Sequence, residues 1–231
     1  VSVTTHAGRT FDFRARHAES NRSYGIRGLV QAVPTKPIWH ASGVTLNQGE
    51  EGACVPHAVI AEALASPLRC KPADPQALAF TGYDWCRRND RYPGEDYAGT
   101  DVDAGMRWGR EQGWWDSYRW AFGMADVKRA LTVGPVVLGI DWDEAFYEPR
   151  RDGLLVPGGT IVGGHAILLT GWSPRFTRLS RAPEVYRLKN SWSDSWGING
   201  SGYIRAEDLE HLLVERRGEA AVPIGRHLVC P

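Results

Sequence analysis

The chain has no excess charge of either sign: 27 lysines and arginines stand against 27 aspartates and glutamates. That balance leaves no basic patch for nucleic acid and no acidic tail for a basic partner. It also lacks any run of 18 apolar residues, so no membrane-spanning helix is expected. No internal repeat or low-complexity tract breaks its 231 residues. Val1 to Ser23 are polar and lack the apolar core of a signal peptide, which points to a cytoplasmic setting. Because the sequence starts at Val1 and not at a methionine, secretion after removal of an upstream piece stays open. Cysteine is scarce, with only Cys54, Cys70, Cys86 and Cys230. Setting one aside as a reactive thiol leaves an odd three, so no disulfide framework is expected, although a Cys70–Cys86 bridge is conceivable.

What is present is enough apolar residue, 42%, to build one globular unit or two closely apposed lobes. The pattern changes partway along. Residues 1–36 read as a polar, extended N-terminal arm with one short strand. From Val55 to about Ser66 the chain is apolar nearly all round except for Glu62, a largely buried helix closed by Pro67. A second helix runs from Asp74 to Arg88, with Pro75 in its first turn. A third covers Thr100 to Gln112, where Thr100 and Asp103 suggest a capping box. Trp114 to Phe122 is an aromatic stretch that packs on the helices, and Met124 to Thr132 is a short helix. After Gly134-Pro135 the segments 136–140, 161–172, 185–189 and 202–205 read as strands. The expected division is a mainly helical part over 37–132 and a mainly β part over 133–231, an α+β chain.

The chemistry centres on Asn47-Gln48-Gly49-Glu50-Glu51-Gly52-Ala53-Cys54-Val55-Pro56-His57. A glycine-bearing loop enters a helix at Cys54, where the positive end of the helix dipole and unpaired backbone N–H groups favour thiolate, the nucleophilic form. Two later stretches add to it. Gly163-Gly164-His165 enters an apolar strand, and Lys189-Asn190-Ser191-Trp192-Ser193-Asp194-Ser195-Trp196-Gly197 is followed by Gly200-Ser201-Gly202-Tyr203.

Together these blocks, in the order Gln, Cys, His, Asn, resemble those of papain-like cysteine peptidases, over roughly Pro37 to Leu213. The short, helix-poor arm and the absence of a large pro-region are closer to bacterial and phage-type members. The resemblance implies a two-lobe fold, helical on the left and antiparallel and barrel-like on the right, with the active site in the cleft between. It implies Cys54 as nucleophile, His165 as general base, Asn190 as the residue that orients the imidazole, and Gln48 with the Cys54 backbone N–H as oxyanion-hole donors. Trp192 would shield the His165–Asn190 bond. Ala98-Gly99-Thr100 would wall the cleft, with Gly99 pairing to an extended substrate. A peptide or protein substrate and no cofactor follow, while membership of a larger assembly stays open.

Each residue also has a plainer reading. Cys54 alone reads as a small buried hydrophobe, His165 as a core histidine, Asn190 as a turn residue and Gln48 as a loop residue. Cys54 and His57 form a Cys-x-x-His pair, a weak metal signal, and His57 fits better as a packed helix residue. The sequence departs from the family at Glu51, where a disulfide cysteine usually stands, and at Val55, usually aromatic. Glu50 and Glu51 place negative charge near the thiolate, which would slow it or favour basic substrates. A papain fold with weak or no turnover, kept for binding, is the alternative.

Overall fold

The computed structural model describes residues 5–6, 8–11, 13, 19–92, 98–175 and 184–227. In chain order its strands and helices are β1 (Thr5–His6), β2 (Arg9–Thr10), β3 (Ile38–Trp39), α1 (Cys54–Leu64), α2 (Pro75–Asn89), α3 (Val102–Glu111), β4 (Trp115–Trp120), α4 (Met124–Val133), β5 (Val136–Asp143), β6 (Leu154–Leu155), β7 (Ile161–Ser173), β8 (Val185–Lys189), β9 (Ser201–Arg205), α5 (Ala206–Glu210) and β10 (Glu219–Arg226). This is the expected α+β class: α1–α4 come before the long strands β5–β9, while β1–β4 stand early and α5 late. The arm forms a small hairpin, β1 with β2, followed by two 3-10 turns at Glu19–Tyr24 and Ile26–Gly28.

One sheet of eight strands runs β4-β10-β5-β7-β8-β9-β6, with β3 added on β7. It is antiparallel apart from the β6–β9 pair. Helix α1 packs on β5 and β7 and against α2 and α3. Its apolar circumference follows from that enclosure. Glu62, the one charge in its apolar run, is fully buried and bonded to the Arg226 guanidinium of β10 at 2.7 and 2.8 Å.

Helix starts follow side-chain chemistry. Asp74 caps α2 by accepting from the Ala77 N–H at 2.9 Å, with Pro75 in the first turn. For α3 the expected Thr100–Asp103 box does not form. Asp101 accepts from the Ala104 N–H at 2.7 Å, and Asp103 is drawn instead to the Tyr118 hydroxyl at 2.6 Å and to Arg107. The stretch 114–122 packs on the helices but does so as strand β4, paired with β10. Pro223 and Gly225 are poor strand residues, yet Pro223 lies beyond the residues of β10 that pair with β5, so its missing N–H costs no bond on that side.

Cys54 and Cys86 are thiols outside any disulfide, whereas Cys70 is disulfide-bonded. No disulfide framework was expected, yet Cys70 is bridged, and the conceivable Cys70–Cys86 bridge does not form; cysteine spacing does not encode pairing. Cys230 lies outside the described residues. Among the described residues no helix is long and apolar enough to cross a membrane.

Candidate active site

The sulfur side is built locally. Cys54 is the first residue of α1, and Ala53 before it makes no side-chain cap, so the first-turn amides stay directed at that position. Gly52 is indispensable two residues earlier. A Cβ there would lie 2.0 Å from the Ala98 carbonyl oxygen and 3.4 Å from the Gly99 nitrogen. Gly99 therefore does border the loop that carries Cys54. His57, one turn on, accepts through Nε2 from Gln76 at 2.9 Å and donates through Nδ1 to the Ala53 carbonyl at 2.7 Å. Burial pushes its pKa down to about 4. With both ring nitrogens engaged, His57 is a helix-stitching residue and has no nitrogen left to share a metal with Cys54.

The loop is tied to the segment after β8. The Gln48 N–H donates to the Ser191 carbonyl at 2.9 Å, and the Ser193 N–H donates to Leu46 at 3.1 Å. Gln48 is buried. Its Oε1 accepts from the Ser191 hydroxyl at 2.6 Å and its Nε2 donates to the Glu51 carbonyl at 2.8 Å. An amide nitrogen carries two hydrogens, so one is left for another acceptor.

The imidazole side gathers distant residues. His165 lies on β7 opposite Ile140 of β5. Its Nε2 donates to Asn190 Oδ1 at 2.8 Å. That oxygen also accepts from the Ser191 N–H at 2.8 Å, which fixes the orientation of the amide. With the proton on Nε2, the lone pair is on Nδ1. Three rings enclose the imidazole: Trp142 at 4.6 Å, Trp192 at 5.0 Å and Phe11 at 6.0 Å between centroids. Burial pushes the His165 pKa down to about 4, the Asn190 bond raises it, and Arg9 lowers it further. In this state the imidazole is neutral.

Sequence reading missed Trp142, Ser191 and the arm. Trp142 sits opposite Gly163 and shares a sheet face with His165. The strand expected over 136–140 stopped two residues short of Trp142.

The arm crosses the site. Thr10 donates its N–H to the Glu50 carbonyl at 3.1 Å, and Arg9 Nη1 donates to the Gly49 carbonyl at 3.2 Å. Phe11 and Phe13 are buried. A Cβ on Gly163 would lie 2.4 Å from that of Phe11, one on Gly164 would lie 2.1 Å from the Phe13 carbonyl oxygen, and one on Gly139 would lie 2.0 Å from the Phe13 ring. The missing side chains are what let the arm backbone settle beside His165. Arg9 completes the cover, its guanidinium 4.4 Å above the Trp192 ring.

The model of the family described as "Papain family cysteine protease" matches residues 105–221, a stretch holding His165 and Asn190. Cathepsin B-like cysteine proteinase 5 of Caenorhabditis elegans is 28% identical over 99 residues, 42% of this chain. The match spans only 27% of that protein's length. Among solved structures, xylellain, a cysteine protease from Xylella fastidiosa, superposes with a TM-score of 0.66 at 15% identity, covering 94% of this chain and 96% of xylellain. The bromelain protease from Ananas comosus in complex with the E64 inhibitor gives 0.59 at 15% identity, covering 80% and 95%. At such identities the structures speak for the fold, and the family match over just over half of the sequence speaks for descent. The chain belongs to the papain family of cysteine proteases.

Proposed function

We propose that this chain hydrolyses peptide bonds through an acyl-enzyme on Cys54. His165 takes the thiol proton and later delivers it to the departing amine. Asn190 holds the ring, Trp192 shields that bond, and Gln48 with the Cys54 N–H stabilises the oxyanion. The observation that carries the reading is the His165–Asn190 bond at 2.8 Å beneath the Trp192 ring, tied through Ser191 to Gln48. Peptide or protein substrates follow from this chemistry, with Gly99 along the cleft wall.

In this reading the arm, within residues 1–36, holds the enzyme in a covered state. A thiolate–imidazolium pair needs a histidine that can hold a proton, and burial under Phe11 and its neighbours opposes that. The second reading, a papain-fold binding protein without turnover, draws on the same burial and on Glu51 and Val55. The finer likeness to bacterial members draws on the match with xylellain from Xylella fastidiosa over 94% of this chain. A cytoplasmic setting is disfavoured by the Cys70 disulfide.

A peptidyl epoxide separates the readings. It should label Cys54 in the full chain, and faster in Phe11→Ala. Equal labelling of Cys54→Ala would refute the mechanism, and no labelling even of Phe11→Ala would favour the binding protein.

A further inference from the structure

Beside the Trp192 ring lies an open cavity of about 800 Å³. Trp192, Trp196 and Tyr147 give it an aromatic floor; Tyr147 stacks on Trp192 at 5.4 Å with the planes 18° apart. Among the described residues, the charged ones lining it besides Arg9 are Glu144 and Glu148. Glu144 is held in place by the Thr160 hydroxyl at 3.3 Å. The arm has set a guanidinium on this floor, with Arg9 centred over Trp192 at 4.4 Å and anchored by the Gly49 carbonyl.

The position of the cavity gives it a role in the peptidase reading, on which this inference rests. To protonate the departing amine, His165 must lie beneath the first residues of the leaving segment. Trp192 packs on that imidazole, so a leaving segment that crosses His165 next meets Trp192 and the cavity. An aromatic platform beside two carboxylates suits a flat cation more than a compact one.

We propose that this cavity binds an arginine side chain of the substrate on the leaving side of the scissile bond, with Trp192 and Tyr147 as platform, Glu144 and Glu148 as counter-charges, and Arg9 as its resident stand-in. Recognition is by stacking and charge, and no bond is made or broken there.

The test uses the full chain carrying Arg9→Ala and Phe11→Ala, to loosen the arm. Internally quenched peptides identical except for Arg, Lys, Gln or Glu at the first or second leaving-side position are compared by kcat/KM. Stacking plus two exposed ion pairs should favour Arg over Glu by roughly tenfold, and added salt should shrink that ratio. In Glu144→Gln/Glu148→Gln the ratio should fall toward one, and in Glu144→Lys/Glu148→Lys it should invert. An inversion is a readout that a misfolded variant cannot give. Cleavage without an Arg preference, or with one that neither double variant alters, overturns the proposal and leaves the peptidase reading standing. If no peptide is cut and the epoxide does not label Cys54, both fall together.

Discussion

Cys54 and His165 are almost equally buried, 2% and 1% exposed, but they are buried by different means. The cysteine sits at a helix start behind its own glycine loop, which the Ala98–Gly99 backbone borders at Gly52, in an apolar cluster that also takes in Phe13 of the arm. The histidine is enclosed by rings from three separate parts of the chain, and one of those parts is the arm. The arm touches the sulfur side as well, through Thr10 on Glu50, Arg9 on Gly49 and Phe13 in the apolar cluster of Cys54, but the scaffold there is chiefly α1 and its own loop. The imidazole borrows part of its seal from a segment that can leave. Perturbing either side should therefore give different signatures.

The largest effect expected is on chemistry. Cys54→Ala and His165→Ala, each in a background with Phe11→Ala, should lower kcat roughly a millionfold, and the double variant should lose no more, because the two act as one unit. Additive losses would break the pairing. Next comes the far end of the helix that presents Cys54. Arg226→Ala strands the fully buried Glu62, which burial already pushes toward its protonated form. The loss should be about 3–5 kcal/mol in denaturant unfolding. Gln48→Ala should cost about 10²–10³ in kcat with little change in KM if its free amide hydrogen meets the oxyanion.

How far the sequence alone reveals this molecule follows the same division. The sulfur side is short-range, so Gln48, Gly52, Cys54 and even the packed role of His57 can be read from adjacent residues. The helices can be read from apolar spacing, and α2 from its Asp74 cap. The imidazole enclosure is not local. Trp142 faces His165 only through the register of β5 on β7, and Phe11 only because Gly163 and Gly164 let the arm approach. A histidine before a strand gives no hint of what covers it. β10 is absent from the strands expected from sequence, since Pro223 and Gly225 are poor strand residues, although the pairing with β4 and β5 makes it an interior strand. The Cys70 disulfide was missed because spacing says nothing of partners.

The smallest effect is the one that separates the two sides most directly. His57 and His165 both have pKa values pushed down to about 4, in each case chiefly by burial. Between about pH 6.5 and 4 the unfolded chain takes up protons that these folded histidines refuse. Stability is therefore full above that window and falls as the pH drops through it, by about 3 kcal/mol for each histidine. Phe11→Ala should divide the pair. His57 is sealed by Gln76 and Ala53, away from the arm, and should keep its low value. His165 would lose one of its three rings and titrate closer to an ordinary imidazole, trimming the acid-induced loss by on the order of 1 kcal/mol. Imidazole NMR titration of the two variants reads both values at once. If both histidines move together, or neither moves, the arm is not what seals the His165 side, and the contrast drawn between sulfur and imidazole fails.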